Sequence, residues 1–399
     1  MKIQRIPMLA GAFGLTMASI ACGGSATPAA TTSGGAPYQV VLVGDLSGSQ
    51  ASNTGTSTYG EQAYFGMVNS KGGVNGHKVE VTALDSQTKP DAAAAACQKA
   101  VDLTPSISRM GGYSGEVPPT IPITTRARIP AIYSGGAPDS ISYPGQPYLY
   151  SGIATAYQMA LGEAAMAQRI AKERNISNPK VAVTGPDTAY SSDWEKAVVN
   201  LAGKFGYTVV SASLQPLTAT DFTSDGAKIA AAHPDIIIAD QIENFIPTVV
   251  STLAANGVKV PILNFFGGDS PALFDRFQNP DYYAFRFAPF PSDPTLKDLQ
   301  AASSAAGVTQ YETKQFFTVG WNAAAVTVDA LKRCGSPCSG DKMNTALQST
   351  NLTLAPYAFG PIKLDKNRHY LIGSMQPYHA VNGQVVAAGA PIDVSAPPG

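Results

Sequence analysis

The sequence predicts an α/β protein of two lobes, each a mainly parallel sheet flanked by helices, and three observations carry that expectation. From Tyr38 onward, short apolar runs alternate with helical patterns, the signature of parallel sheets with helices on both faces. The stretch NSKGGVNGHKVEV, residues 69–81, stops a helix and enters a strand within a few residues. The run of β/α units changes character near residues 148–158, 282–294 and 357–386, which predicts discontinuous lobes joined by a three-stranded hinge.

At the N-terminus, Lys2 and Arg5 precede the apolar MLAGAFGLTMASIA, an export signal over residues 1–21 that is short for a membrane span. The following SIAC resembles a bacterial lipobox, with Ser19 where leucine is usual, and predicts Cys22 as the lipid-bearing first residue of the mature chain. An ordinary secretory signal with Cys22 incidental is the other reading. GGSATPAATTSGGAP then has no charge and almost no large apolar residue, so residues 22–37 read as a flexible tether.

The body begins with YQVVLVGDL as a strand. A helix follows over GEQAYFGMVNS, and Gly72-Gly73 supplies the left-handed positions that end helices cheaply. Val79 and Val81 alternate with Lys78, Glu80 and Thr82, as in a half-buried strand. KVEVTAL, ISRMGGYS, IPAIYSG, KVAVTGPD, TVVSASL, PDIIIADQ and VPILNFFGG continue the strand series. PDAAAAACQKAVD, QMALGEAAMAQRIAKE, DWEKAVVNLAGKF, TSDGAKIAAA and IPTVVSTLAANG are the helical patterns between them. An aromatic strand, YYAFRFAPFPSDP, runs into prolines, and the terminal segment reads as hairpins with a turn at Asn382-Gly383.

With 27 basic against 28 acidic residues and no basic run interleaved with aromatics, the chain carries no nucleic-acid footprint. Export to an oxidising compartment favours a disulfide between Cys334 and Cys338 of CGSPC, with Cys97 a buried small apolar residue among alanines.

The combined pattern resembles the type I periplasmic solute-binding proteins of ABC transporters, in particular the leucine/isoleucine/valine-binding group. The residues that carry it are VGDLSGSQASNTG, YGEQAYFGMVNSKGGVNGHKVEVTALDSQTKPDAAAAACQKAV, RIPAIYSGGAP, DTAYSSDWEKAVVNLAGKFGYTVV and TDFTSDGAKIAAAHPDIIIA. The resemblance implies the two-lobed type I periplasmic-binding-protein fold, with residues 38–154 and 288–352 in lobe 1 and residues 155–287 and 353–390 in lobe 2. It places the ligand at strand-end loops. Ser47 and Asn53 with Thr54 follow the first strand, and Ser114, Ser134 and Gly136 match positions that hold an amino-acid carboxylate and ammonium. Gly136 stands where the amino-acid binders carry threonine, which removes one side-chain contact. From lobe 2, Tyr190 matches an aromatic that closes over the ligand. Asp240, Gln241 and Ile242 end a strand where the family often has tyrosine, and Asp269 matches the acid that accepts the ammonium. Each also admits a structural role: Ser114 and Ser134 as turn residues, Tyr190 as a half-buried helix-start aromatic, Asp269 as a cap of the helix in SPALFDRF.

No Gly-x-Ser-x-Gly elbow, His-Glu-x-x-His or P-loop is present, and His77, His233, His369 and His379 lack metal-like spacing, so an enzyme is not expected. The reading is an exported binding component of an ABC importer, without metal or cofactor, lipid-anchored at the outer face of the bacterial cytoplasmic membrane. It captures an amino acid, amide or small carboxylate as a monomer and meets a membrane permease. A ligand sensor working with a separate membrane transducer is the alternative.

Overall fold

The computed structural model describes residues 35–136, 139–277, 279 and 281–397. The export signal, Cys22 and most of the tether lie outside these residues.

The first sheet is formed by β1 (Tyr38–Gly44), β2 (Val79–Asp85), β3 (Ile107–Gly111), β4 (Ala131–Tyr133) and β5 (Leu149–Ser151), in the order β2-β1-β3-β4-β5. All its pairs are parallel. Helices α1 (Thr56–Ser70), α2 (Pro90–Asp102) and α3 (Val117–Ala127) make the crossovers. The period of two along β1 explains why both faces are covered. Val40 and Leu42 pack with Phe65 of α1 in one core, whereas Val41 and Val43 pack with Cys97 and Ala100 of α2 and Val117 of α3 in another. Helix α3 was not foreseen, because VPPTIPITTRA holds three prolines. Two of them fall in its first turn, where the missing N–H has no intrahelical partner, and only Pro122 interrupts the interior.

The NSKGGVNG junction owes its sharpness to four left-handed residues, Gly72, Gly73, Asn75 and Gly76. A side-chain staple completes it: Asn69 in the last turn of α1 donates from Nδ2 to the Val79 carbonyl and accepts the Val79 N–H at Oδ1, both at 2.8 Å. One amide thereby joins helix end to strand start.

The second lobe begins with α4 (Ala156–Glu173), and continues with β6 (Lys180–Pro186), α5 (Ala189–Phe205), β7 (Thr208–Gln215), α6 (Thr223–Ala231), β8 (Ile236–Ala239) and α7 (Ile246–Ala255). Then come β9 (Ile262–Asn264), α8 (Pro271–Phe277) and β10 (Tyr282–Arg286). The chain returns to the first lobe through α9 (Lys297–Ala305), α10 (Gln315–Cys334) and α11 (Gly340–Leu347), followed by the short pair β11 (Asn351–Leu352) and β12 (Ile362–Lys363). It closes with β13 (Ser374–Val381), β14 (Gln384–Ala387) and β15 (Ile392–Asp393). The second sheet runs β14-β13-β10-β9-β8-β6-β7, parallel from β7 to β10 and antiparallel where β13 joins. Asn382 and Gly383, both at positive φ, form the expected two-residue turn. Here too alternate residues face different cores: Val181, Val183, Ile236 and Ile238 lie with α4 and α5, Ala182, Ile237 and Ala239 with α6 and α7.

Three segments cross between the lobes: one after β5, one after β10 and one before β13. The third lies later than position 353, because Ile362, Leu364 and Leu371 pack into the first-lobe core. The crossings are tied together by Gln158 in the capping box of α4, whose Nε2 donates to the carbonyls of Ile372 at 2.6 Å and Val394 at 3.0 Å. Backbone bonds from Ser151 N to His369 O and from Leu371 N to Ser151 O add to the tie. Cys334 and Cys338 are bonded, with Cα atoms 5.5 Å apart, and Cys97 is a buried free thiol.

Arg109 sits inside the first sheet, 1% exposed, and donates to Glu61 Oε1 of α1 from Nε at 3.1 Å and from Nη2 at 2.9 Å. It also donates to the Ile132 carbonyl at 2.6 Å and to Ser134 Oγ at 2.5 Å. A buried pair of this kind costs much to break from one side. Arg109→Leu, which strands Glu61, should destabilise by about 3–5 kcal/mol in urea denaturation, and Arg109→Leu with Glu61→Leu should recover much of that loss.

Candidate functional site

The carboxyl ends of both sheets face one another across a cavity of about 630 Å³, its mouth included. Its place follows the rule that ligands sit outside the carboxyl ends of parallel strands.

From the first lobe, the loop after β1 is folded inward by Asp45. This buried carboxylate accepts from Thr54 Oγ1 at 2.5 Å and from Ser86 Oγ at 3.2 Å. Gln50, Asn53 and Thr54 thereby line the cavity, and Asn53 Nδ2 donates to Gln50 Oε1 at 3.1 Å. Glu116, beside Asp45, is pushed up to about 8 by burial and then by the Asp45 charge. After β3 come Tyr113 and Ser114, and after β4 comes Gly136. A Cβ on Gly136 would lie 3.1 Å from the Cβ atoms of Ser114 and of Tyr190 across the cleft, so the glycine lets the lobes approach.

From the second lobe, Thr188 caps α5 by accepting the Ser191 N–H at 3.1 Å. That cap fixes Tyr190 and Ser191 at the cavity wall. The Tyr190 hydroxyl donates to the Ala154 carbonyl at 3.2 Å, and Ser191 Oγ donates to Asp240 Oδ2 at 2.6 Å. Asp240 follows β8; burial pushes it up to about 7, with the Ser191 bond acting in the opposite sense. Below, Trp194 Nε1 donates to Glu163 Oε2 at 2.5 Å, and burial holds Glu163 well above the usual carboxylate range. Phe265 and Phe266 after β9 and Phe316 of α10 supply an aromatic wall in which Phe266 and Phe316 meet edge to face.

Of the residues singled out in the sequence, Asn53, Ser114, Gly136 and Tyr190 come together on this cavity, with Thr54, Asp240 and Ile242. Four others are engaged elsewhere. Ser47 Oγ donates to Asp85 Oδ2 at 2.6 Å on an exposed loop, and the Ser134 hydroxyl is occupied by Arg109. Gln241 is held by the paired amide of Asn264 through its backbone and donates from Nε2 to Gln215 Oε1 at 2.9 Å. Asp269 forms a buried ion pair with Arg286 of β10. Burial pushes Asp269 up to about 6, and Arg286 offsets part of that rise. The glycines before Asp269 bring it to this internal cation, because a guanidinium inside the sheet requires a counter-charge. Tyr190 is 5% exposed and belongs to the second-lobe core as well as to the cavity wall. Truncating it to alanine would therefore disturb folding too. The aromatic wall was not foreseen; its signal was the NFF stretch at a strand end and the FF pair at the start of α10.

The buried acids give the fold a pH dependence of definite sign. Glu116 and Asp240 titrate near 8 and 7 in the folded chain, and Asp139 near 6, against ordinary values of 4.5 for Glu and 3.8 for Asp. Groups with raised folded pKa bind protons more tightly when folded, so their stabilisation is present at low pH and is lost as pH rises through those values. Burial lowers His369 from 6.5, which acts in the opposite direction below that value. The melting temperature should accordingly rise as pH is lowered from about 8 to about 6.5. Differential scanning fluorimetry across that window checks this, and a flat profile would refute it.

The sequence profile of a periplasmic binding protein family matches residues 37–384. A relative in Brucella abortus, named Leu/Ile/Val-binding protein homolog 4, is 24% identical over 257 residues, 62% of this chain and 61% of its own length. This chain therefore aligns with less than two thirds of that relative. Among solved structures, an ABC-transporter solute-binding protein of Rhodopseudomonas palustris in complex with 4-hydroxybenzoate superposes with a TM-score of 0.75 at 18% identity, covering 90% of this chain and 97% of the other. A branched-chain amino acid transporter substrate-binding protein of Streptococcus pneumoniae in complex with isoleucine does so with a TM-score of 0.73 at 17% identity, covering 90% and 99%. These two show the shared fold. The profile match spans nearly the whole described body, and the chain belongs to the periplasmic binding protein family, a family of binding proteins and not of enzymes.

Proposed function

We propose that this protein is the solute-binding component of an ABC importer and captures a small polar organic ligand, an amino acid, amide or small carboxylate, between its two lobes. The observation that carries the reading is the cavity itself, whose described walls come from the strand ends and strand-end loops of both sheets, with the start of α5, α10 and the first crossing. A solute held there touches both lobes only when the lobes are together. Its binding free energy thus favours the closed arrangement over the open one by the contacts that closure adds. A membrane permease can distinguish the two arrangements by the relative placement of the lobe surfaces. Related structures with bound isoleucine and with bound 4-hydroxybenzoate support both amino acids and aromatic acids as candidate chemistries.

The N-terminal export pattern and Cys22 support delivery to the outer face of the cytoplasmic membrane on a lipid anchor. Among the described residues no helix is long and apolar enough to cross a membrane. Lipid chains at about 0.8 kcal/mol per buried CH₂ would hold the body at the surface.

Two measurements test these readings. In a thermal-shift screen of the purified protein against amino acids, amides, short carboxylates and aromatic acids, a ligand of the folded state raises the melting temperature. Ile242→Trp, which fills the cavity, should abolish that shift, and an undiminished shift would move the site elsewhere. Cys22→Ser should release the protein from membranes on fractionation, and full retention would refute the anchor.

A further inference from the structure

We propose that Asp240 selects the solute: the ligand carries a hydrogen-bond donor, an ammonium or a hydroxyl, that meets the free carboxylate oxygen of Asp240, on an apolar or aromatic body lying against Phe265, Phe266 and Phe316. The inference rests on reading this cavity as the solute site and adds the class of solute that it takes.

Asp240 is 2% exposed, and while Oδ2 accepts from Ser191, Oδ1 has no partner. A buried acceptor left in that state is costly, and more so when charged. Several donors of the surrounding wall are committed elsewhere. Thr54 Oγ1 is committed to Asp45, Asn53 Nδ2 to Gln50, and the Tyr190 hydroxyl to the Ala154 carbonyl. Among the described residues no lysine, arginine or histidine lines the cavity. Asp269, the acid that the resemblance aligns with the ammonium site, is neutralised by Arg286 and lies off the wall. Behind Asp240, Glu163 has its own unpartnered oxygen, Oε1. A plain carboxylate placed there brings no donor for Oδ1. A donor-bearing group satisfies Asp240, and the rings opposite bury the remainder of the molecule.

The test compares matched probes by calorimetry on the full-length protein. Leucine is set against 4-methylpentanoate, which lacks its ammonium, and 4-hydroxybenzoate against benzoate, which lacks its hydroxyl. A thermal-shift panel of amino acids, amides and plain carboxylates accompanies them. The binders should all bear a donor, and removing it should weaken binding at least about tenfold, since truncating one side of a buried polar pair leaves the other unpaired. Asp240→Asn should erase that preference. A donor-free carboxylate that binds as well as its donor-bearing partner would overturn the proposal, as would a preference unchanged in Asp240→Asn. The wild-type comparison stands alone if the variant does not fold. Binding that persists in Ile242→Trp would instead overturn the cleft reading beneath it, and no binding by any probe would overturn both.

Discussion

The cavity depends on how this fold neutralises charge inside its sheets. Arg109 in β3 gathers Glu61, the Ile132 carbonyl and the Ser134 hydroxyl into one buried cluster, which joins α1, β3 and the loop after β4. Arg286 at the end of β10 does the same for the turn that follows β9, through Asp269. Taking a guanidinium out of water is costly unless its donors are filled, so each arginine holds nearby groups in place. Arg286 ends its strand, and Arg109 reaches from within β3 to the loop after β4. By occupying Ser134 and Asp269 they remove two groups from the wall and leave Asp240 as its acid.

That redistribution also explains the contact between the lobes. Thr188 and Ser191 at the start of α5 fix the helix end that bears Tyr190, and Gly136 admits that ring close to the opposite loop. A threonine at position 136 would bring a branched side chain into a gap where even a Cβ is tight. The lost side-chain contact and the close approach are two consequences of one substitution. Lys314, just before α10, meets Glu243 of the second lobe at 2.9 Å, a partly exposed pair that adds a weak polar link beside the aromatic one.

The crossings give the lobes a common boundary without merging their cores. Gln158 is buried, and its side-chain amide joins the first crossing to Ile372 of the third and to Val394 after β15. Backbone carbonyls at such a boundary belong to neither sheet and need donors from a side chain. A glutamine inside a capping box can supply them while also closing the helix N-terminus.

Local pattern alone determined much of this protein. Short apolar runs such as Val40 to Val43, alternating with helical patterns, implied strands covered on both faces, Gly72-Gly73 and Asn75-Gly76 implied the sharp return to β2, and Asn382-Gly383 implied a hairpin, because dihedral preference and period are properties of neighbouring residues. Strand-end loops followed from the same reading, whereas Asn53, Ser114, Gly136 and Tyr190 as cavity residues came from the resemblance to the periplasmic binding proteins. Which acid faces the cavity was a different matter. Asp240 and Asp269 each follow a strand and the resemblance favoured Asp269, but the tertiary structure placed Arg286 beside Asp269 and Ser191 beside Asp240. The partners of a buried charge come from segments distant along the chain, so its availability to a ligand is fixed by packing and not by spacing. Ser134 and Gln241 were decided in the same way, by Arg109 and by Gln215. Helix α3 escaped the pattern because its prolines fall mainly where a helix needs no N–H, a position defined only once the helix is there.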